Sequence, residues 1–200
     1  MNETLRPSPL AALLMLLLSL ALGGCATQAE EPPLKGATMG GPFELTGPDG
    51  RRVNSNQFAG QYRLVYFGFT FCPDVCPTDL QRIGAALRQF EQSDPERAQR
   101  VQPIFITVDP RRDTPDVMRR YTANFHPRIL GLTGTETEIG NVARTHGIFF
   151  TRGQPDAQGN YTVDHASYAV LYGPQGEPIA MATREQGPAG IGDLLDRWVR

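Results

Sequence analysis

Two cysteines four positions apart, Cys72 and Cys76, each precede a proline in the stretch FTFCPDVCP, residues 69–77. A thiol pair so placed can exchange electrons with a partner's disulfide, or its two sulfurs can converge on one metal ion. Dithiol exchangers of the C-x-x-C type have two residues between the cysteines. Here there are three, Pro73, Asp74 and Val75, a spacing that still permits a disulfide. A purely stabilising disulfide would gain little, because the benefit of closure grows with loop length and this loop is short. The two prolines restrict the loop by fixing φ and removing donors.

A metal needs more than two thiolates, and the chain has three histidines, His126, His146 and His165. His165 lies in the run YTVDHAS, residues 161–167. Two sulfurs and one imidazole suit a soft or borderline ion: Cu(I), with Cu(II) open through the nitrogen donor, or zinc with a further ligand. A four-cysteine iron–sulfur site is excluded, because the chain has only three cysteines. His126 precedes Pro127 and His146 precedes Gly147. Both read as capping or surface residues near helix ends, His146 where a partly charged imidazole is favourable.

The elements that must position these residues alternate. Residues 64–71 form a nearly continuous apolar run, the pattern of a strand buried on both faces. Thr78 to Phe90 then puts Leu80, Ile83, Leu87 and Phe90 on one helical stripe. The cysteines therefore sit at the carboxyl end of a strand, where sites gather in α/β sheets. Cys76 also lies close to a helix N-terminus, where a thiolate is favoured. A second buried strand spans 101–108, and Thr114-Pro115 opens a helix as N-cap and first-turn proline. A short strand at 128–132 follows, and Thr135 and Glu138 form a capping box before Ile139, Val142 and Ala143. Residues 166–172 and 178–182 flank a Gly-Pro-Gln-Gly turn, and a last helix carries Ile191, Leu194, Leu195 and Trp198. Upstream, residues 43–46 and 51–53 flank Gly-Pro-Asp-Gly, a hairpin signal. This order predicts an α/β, thioredoxin-like fold with an extra N-terminal β-hairpin.

The 200 residues suit one ordinary domain with a core, and 40% hydrophobic with 20% charged residues is a globular composition. A net charge of −2 with no basic cluster argues against a nucleic-acid partner. Residues 10–22, LAALLMLLLSLAL, are too short for a comfortable bilayer span of about 20 residues and match a signal-peptide core. Small residues then lead to Cys25, as at a bacterial lipoprotein processing site. The expected organisation is a signal peptide over 1–24, a flexible tether over 25–41 with a lipidated Cys25, and a domain over 42–200. With Cys25 spent on the anchor, Cys72 and Cys76 remain as one pair in an oxidising compartment, too few for a disulfide scaffold.

Three blocks standing in order resemble the Sco/SenC family: residues 66–77 (YFGFTFCPDVCP), 108–115 (VDPRRDTP) and 163–165 (VDH). The resemblance extends over about Pro42 to Arg200. It implies a thioredoxin-like domain on the outer face of an energy-transducing membrane, which with the lipoprotein-like site at Cys25 places the expected protein in a bacterial envelope. It implies a copper ion, Cu(I) or Cu(II), held by Cys72, Cys76 and His165. It also implies delivery of copper to, or preparation of the thiols of, the dinuclear copper site in cytochrome c oxidase subunit II or another copper protein. Asp109, Arg112 and Asp113 match a family motif, although a strand-end turn leading into the Thr114 cap accounts for them without ligation. Two enzymatic alternatives stay open: a thiol–disulfide oxidoreductase acting on a partner's cysteines through Cys72 and Cys76, and a peroxide-reducing relative. Both need the cysteines, and neither obviously needs His165.

Overall fold

The computed structural model describes residues 30–183 and 186–200. The expected signal peptide over 1–24 and the expected lipidation site Cys25 lie outside the described residues. A compact unit spans Pro32–Arg200. None of the described helices is long and apolar enough to cross a membrane.

The chain forms β1 (Glu44–Thr46), β2 (Arg52–Asn54), β3 (Tyr62–Gly68), α1 (Val75–Ser93), α2 (Pro95–Gln99), β4 (Val101–Thr107), α3 (Pro115–Ala123), β5 (Leu130–Leu132) and α4 (Glu136–Thr145). There follow β6 (Phe150–Arg152), β7 (Val163–His165), β8 (Ala169–Tyr172), β9 (Pro178–Ala182) and α5 (Gly187–Trp198). The central sheet has the order β5-β4-β3-β8-β9. Strands β3, β4 and β5 run parallel, and β8 and β9 complete the sheet antiparallel. The fold is thioredoxin-like, with the β1–β2 hairpin added at its start.

Strand β3 is buried along its whole length, as its apolar run from Leu64 onward requires, and Arg63 near its start is buried with it. Burying each of Leu64, Val65 and Phe67 contributes about 1.5–3 kcal/mol. Helix α1 covers the sheet with Cys76, Leu80, Ile83, Leu87 and Phe90. Its backbone approaches closely at Gly84, where a Cβ would stand 2.5 Å from the Phe125 carbonyl oxygen. The Thr114 cap and the Thr135–Glu138 capping box both form as the sequence predicts.

Three expectations change. The apolar run predicted as strand to residue 71 leaves the sheet after Gly68, so Phe69 to Phe71 belong to the site loop. The tether expected to reach residue 41 is packed from Pro32 onward. Leu34 and Met39 lie against the core, Leu34 N–H donates to the Ile179 carbonyl (3.0 Å), and Gly40 N–H donates to that of Thr145 (2.7 Å). The chain turns over 32–37, where Lys35 N–H donates to the Pro32 carbonyl (2.9 Å) and Ala37 N–H to that of Leu34 (3.0 Å). Finally, His126 and His146 are core residues, each 2% exposed. His126 pairs with Glu91 (3.2 Å). His146 sits among Phe43, Phe67 and Tyr172, and its Nδ1–H donates to the Val142 carbonyl (2.8 Å). Burial lowers the His146 pKa to about 4, so its imidazole is neutral, not partly charged as the helix end alone suggests.

Candidate metal centre

Strand β3 ends at Gly68 and the chain turns through Phe69–Asp74 into α1. Gly68 suits this corner: a Cβ there would stand 2.8 Å from the Cys76 sulfur. Helix α1 begins at Val75, so Cys76 lies in its first turn, fully buried, while Cys72 is partly exposed in the loop. Both are free thiols, and Cys76 N–H donates to Cys72 Sγ at 3.3 Å.

His165 arrives on a hairpin that the sequence pattern does not reveal. Strands β6 and β7 have three residues each and pair antiparallel, with Phe150 opposite His165. The His165 Nδ1 lies 2.8 Å from the Ala166 carbonyl oxygen. A carbonyl only accepts, so Nδ1 carries the proton and Nε2 keeps its lone pair. That Nε2 lies 3.2 Å from Cys76 Sγ. Tyr66 and Phe69 meet the imidazole edge-on and hold its plane. One donor atom from each of Cys72, Cys76 and His165 falls within 4.8 Å of the others. No other group of three or more such residues is assembled among the described residues.

The electrostatics suit a neutral resting site. Burial pushes the Cys76 thiol above its ordinary pKa, outweighing the helix N-terminus that the sequence suggests would favour a thiolate. Burial also lowers His165, so its imidazole is neutral at pH 7 and ready to donate a lone pair. The donor set, two sulfurs and an imidazole nitrogen, fits copper chemistry.

The motif residues Asp109, Arg112 and Asp113 surround this centre without joining the donor cluster. Asp113, fully buried, accepts from Thr70 N–H (3.0 Å), Thr70 Oγ1 (2.6 Å) and Thr107 Oγ1 (2.6 Å). It ties the cysteine loop to the end of β4. Asp109, also fully buried, pairs with Arg112 and accepts from the Tyr161 hydroxyl (2.9 Å). Arg112 lies against the rings of Phe69, Phe71 and Tyr161 and donates to the Tyr161 carbonyl (3.0 Å). Glu136, held down to about 2 by Arg111 and Arg152, links the β4–α3 loop to β6. These residues join the three segments that meet at the site. In the sequence the two aspartates match a family motif and read as turn residues; their bracing role was signalled only by their place beside a buried strand end.

The hairpin and loop also expose Phe71 (59%) and Phe149 (86%), the large apolar side chains most open to solvent among the described residues.

A model of the SCO1/SenC family matches residues 31–200. The mitochondrial "Protein SCO2 homolog" of Bos taurus is 40% identical over 171 residues, covering 85% of this chain and 64% of the relative. A "SCO2-like protein" of Rickettsia prowazekii is 42% identical over 134 residues, covering 66% of this chain and 63% of the relative. The match thus spans somewhat under two thirds of these relatives' lengths. Yeast Sco1, solved with copper bound, superposes with a TM-score of 0.74 at 34% identity, over 81% of this chain and 88% of that one. The likeness runs from the packed N-terminal segment through both halves of the donor cluster to the last helix, and the chain belongs to the SCO1/SenC family.

Proposed function

We propose that this protein carries copper as cargo, held by the sulfurs of Cys72 and Cys76 and by Nε2 of His165. It passes the ion to a copper protein during assembly of the dinuclear copper site of cytochrome c oxidase. The observation that carries this reading is the convergence of the three donor atoms within 4.8 Å, from segments 89 residues apart. Family membership and the copper-bound yeast relative support it.

The residues divide the work. Cys72, partly exposed, is the sulfur a donor or acceptor protein can reach first. Cys76, buried and protonated in the metal-free state, must release its proton as the ion enters. His165 needs no proton loss, because its lone pair already faces Cys76. Phe71 and Phe149 give a partner an apolar contact beside the thiols.

The protein is proposed to work in the bacterial envelope, made with a signal peptide over residues 1–24 and lipidated at Cys25. The lipid holds the domain on the outer face of the cytoplasmic membrane.

A second reading, a thiol–disulfide oxidoreductase, draws on the free and adjacent state of Cys72 and Cys76. Copper uptake by fully reduced and fully oxidised protein tests both. The copper reading expects uptake only by the reduced form, because the ligands are thiolates. Equal uptake by the two forms would reject the sulfurs as ligands.

A further inference from the structure

A buried cation lies at the other end of β3 from the thiols. Arg63 is the second residue of that strand, five residues before Gly68, or roughly 17 Å along it. It is only 8% exposed. A buried charge ordinarily has a carboxylate or several hydrogen bonds to offset its lost hydration. Arg63 has neither among the described residues. Its Nε is buried without a hydrogen-bond partner, and so is the nearby Tyr172 hydroxyl. The guanidinium has only the Tyr172 ring, at 5.7 Å. Glu177 is near enough to be felt, but its carboxylate accepts from Gln175 N–H (3.0 Å) instead.

The Arg63 side chain lines a cleft of about 510 Å³ formed by Pro42, Asn56, Phe58, Pro174, Gln175 and Gly176 among others. Gly176 leaves it room: its φ is +91°, and a Cβ there would stand 2.7 Å from Arg63 Nη2. The cleft shares no residue with the donor cluster.

We infer that this cleft is a binding site for a small organic monocarboxylate, its carboxylate on Arg63 and its carbon body against Pro42, Phe58 and Pro174. The planar guanidinium fork matches a carboxylate. The cleft lining supplies one cation, with the neutral amides of Asn56 and Gln175 beside it, so one negative charge is neutralised and two are not. The carbon surfaces of Pro42, Phe58 and Pro174 beside these polar groups, with Ala59 and Gly60 also in the lining, favour an organic anion over an inorganic one, and the volume is far more than a lone ion needs.

The test is titration of the full chain with benzoate at an ionic strength held constant with chloride, and with inorganic phosphate in parallel. The readouts are melting temperature and the amide signals of Asn56, Ala59, Gly60 and Gln175. Benzoate is expected to raise the melting temperature and shift those signals saturably. Arg63→Leu is expected to bind benzoate at least tenfold more weakly. Without ligand it should melt no lower than the parent, because an unpaired buried charge has been removed. Should Arg63→Leu melt lower, Arg63→Lys decides: it keeps the charge but not the fork, and is expected to bind several-fold more weakly than the parent. No saturable shift, equal binding by the parent and by the variant that decides, or preference for phosphate would overturn the inference.

Discussion

The Arg112 guanidinium carbon lies 3.8 Å from the centre of the Tyr161 ring, and so joins the loop after β4 to the hairpin that carries His165. Arg112 also neutralises Asp109, which has no exposure of its own. Replacing Arg112 with alanine leaves that carboxylate uncompensated and frees the hairpin. The expected cost is about 3 kcal/mol in denaturant unfolding. Arg112→Lys retains the charge but not the fork that reaches Tyr161, so it is expected to recover stability only in part. Full recovery would mean that charge alone, not the cation–aromatic stack, fastens the hairpin.

Asp113 does the corresponding work for the cysteine loop. Its carboxylate accepts both the amide and the hydroxyl hydrogen of Thr70. Asp113→Ala strands these donors and the Thr107 hydroxyl, and is expected to destabilise the protein by about 2–4 kcal/mol. Native-state hydrogen exchange gives the local readout. The Thr70 amide should lose protection beyond the global change, and unchanged relative protection there would contradict the clamp.

His146 makes stability depend on pH. Its folded pKa of about 4 lies below its ordinary 6.5, so the unfolded chain binds the proton more tightly. The stability it contributes is present above pH 6.5 and is lost as pH falls toward 4. Between pH 7.5 and 5 the loss from this residue is about 2 kcal/mol. His126, lowered by burial too, acts in the same direction. Urea unfolding of the parent and of His146→Phe across this range isolates the effect, since every other titrating group is common to both. Parallel stability curves would contradict it.

Membrane attachment is expected to depend on Cys25. In Cys25→Ser the processed protein should leave the membrane fraction, or an uncleaved precursor should remain held by residues 10–22. Membrane-bound protein at its normal processed size would show that lipid on Cys25 is not the anchor.

The sequence shows the sheet and the sulfur half of the site through strong local signals. A largely apolar strand, two helix caps and a cysteine pair at a strand end are each readable within a short window. The histidine half is not local. Strands β6 and β7 have three residues each, too short for an alternating pattern, and the Asp156–Gly159 turn in the ten-residue connection between them, 153–162, is a local signal that does not say where His165 goes. His165 was therefore legible only through its likeness to a family. The burial of His126 and His146 escapes the pattern for another reason: a helix-end histidine looks the same in sequence whether the end faces water or an aromatic cluster. Asp113 reads as a turn residue because its three partners come from two other segments. Helix α2 was readable in principle, since Asp94 before Pro95 is a capping signal.

If His165 completes the proposed three-donor copper site, copper titration of the reduced His165→Ala variant beside the parent will show its contribution. Two sulfurs alone still suffice for Cu(I), whereas Cu(II) calls for further ligands and nitrogen donors. The variant is expected to lose the thiolate-to-Cu(II) charge-transfer absorption. Its metal-free melting should stay close to the parent's, because His165 is a partly exposed residue of a short hairpin. An unchanged Cu(II) spectrum, together with normal oxidase assembly in cells at limiting copper, would contradict the three-donor site and leave the dithiol exchange reading in its place.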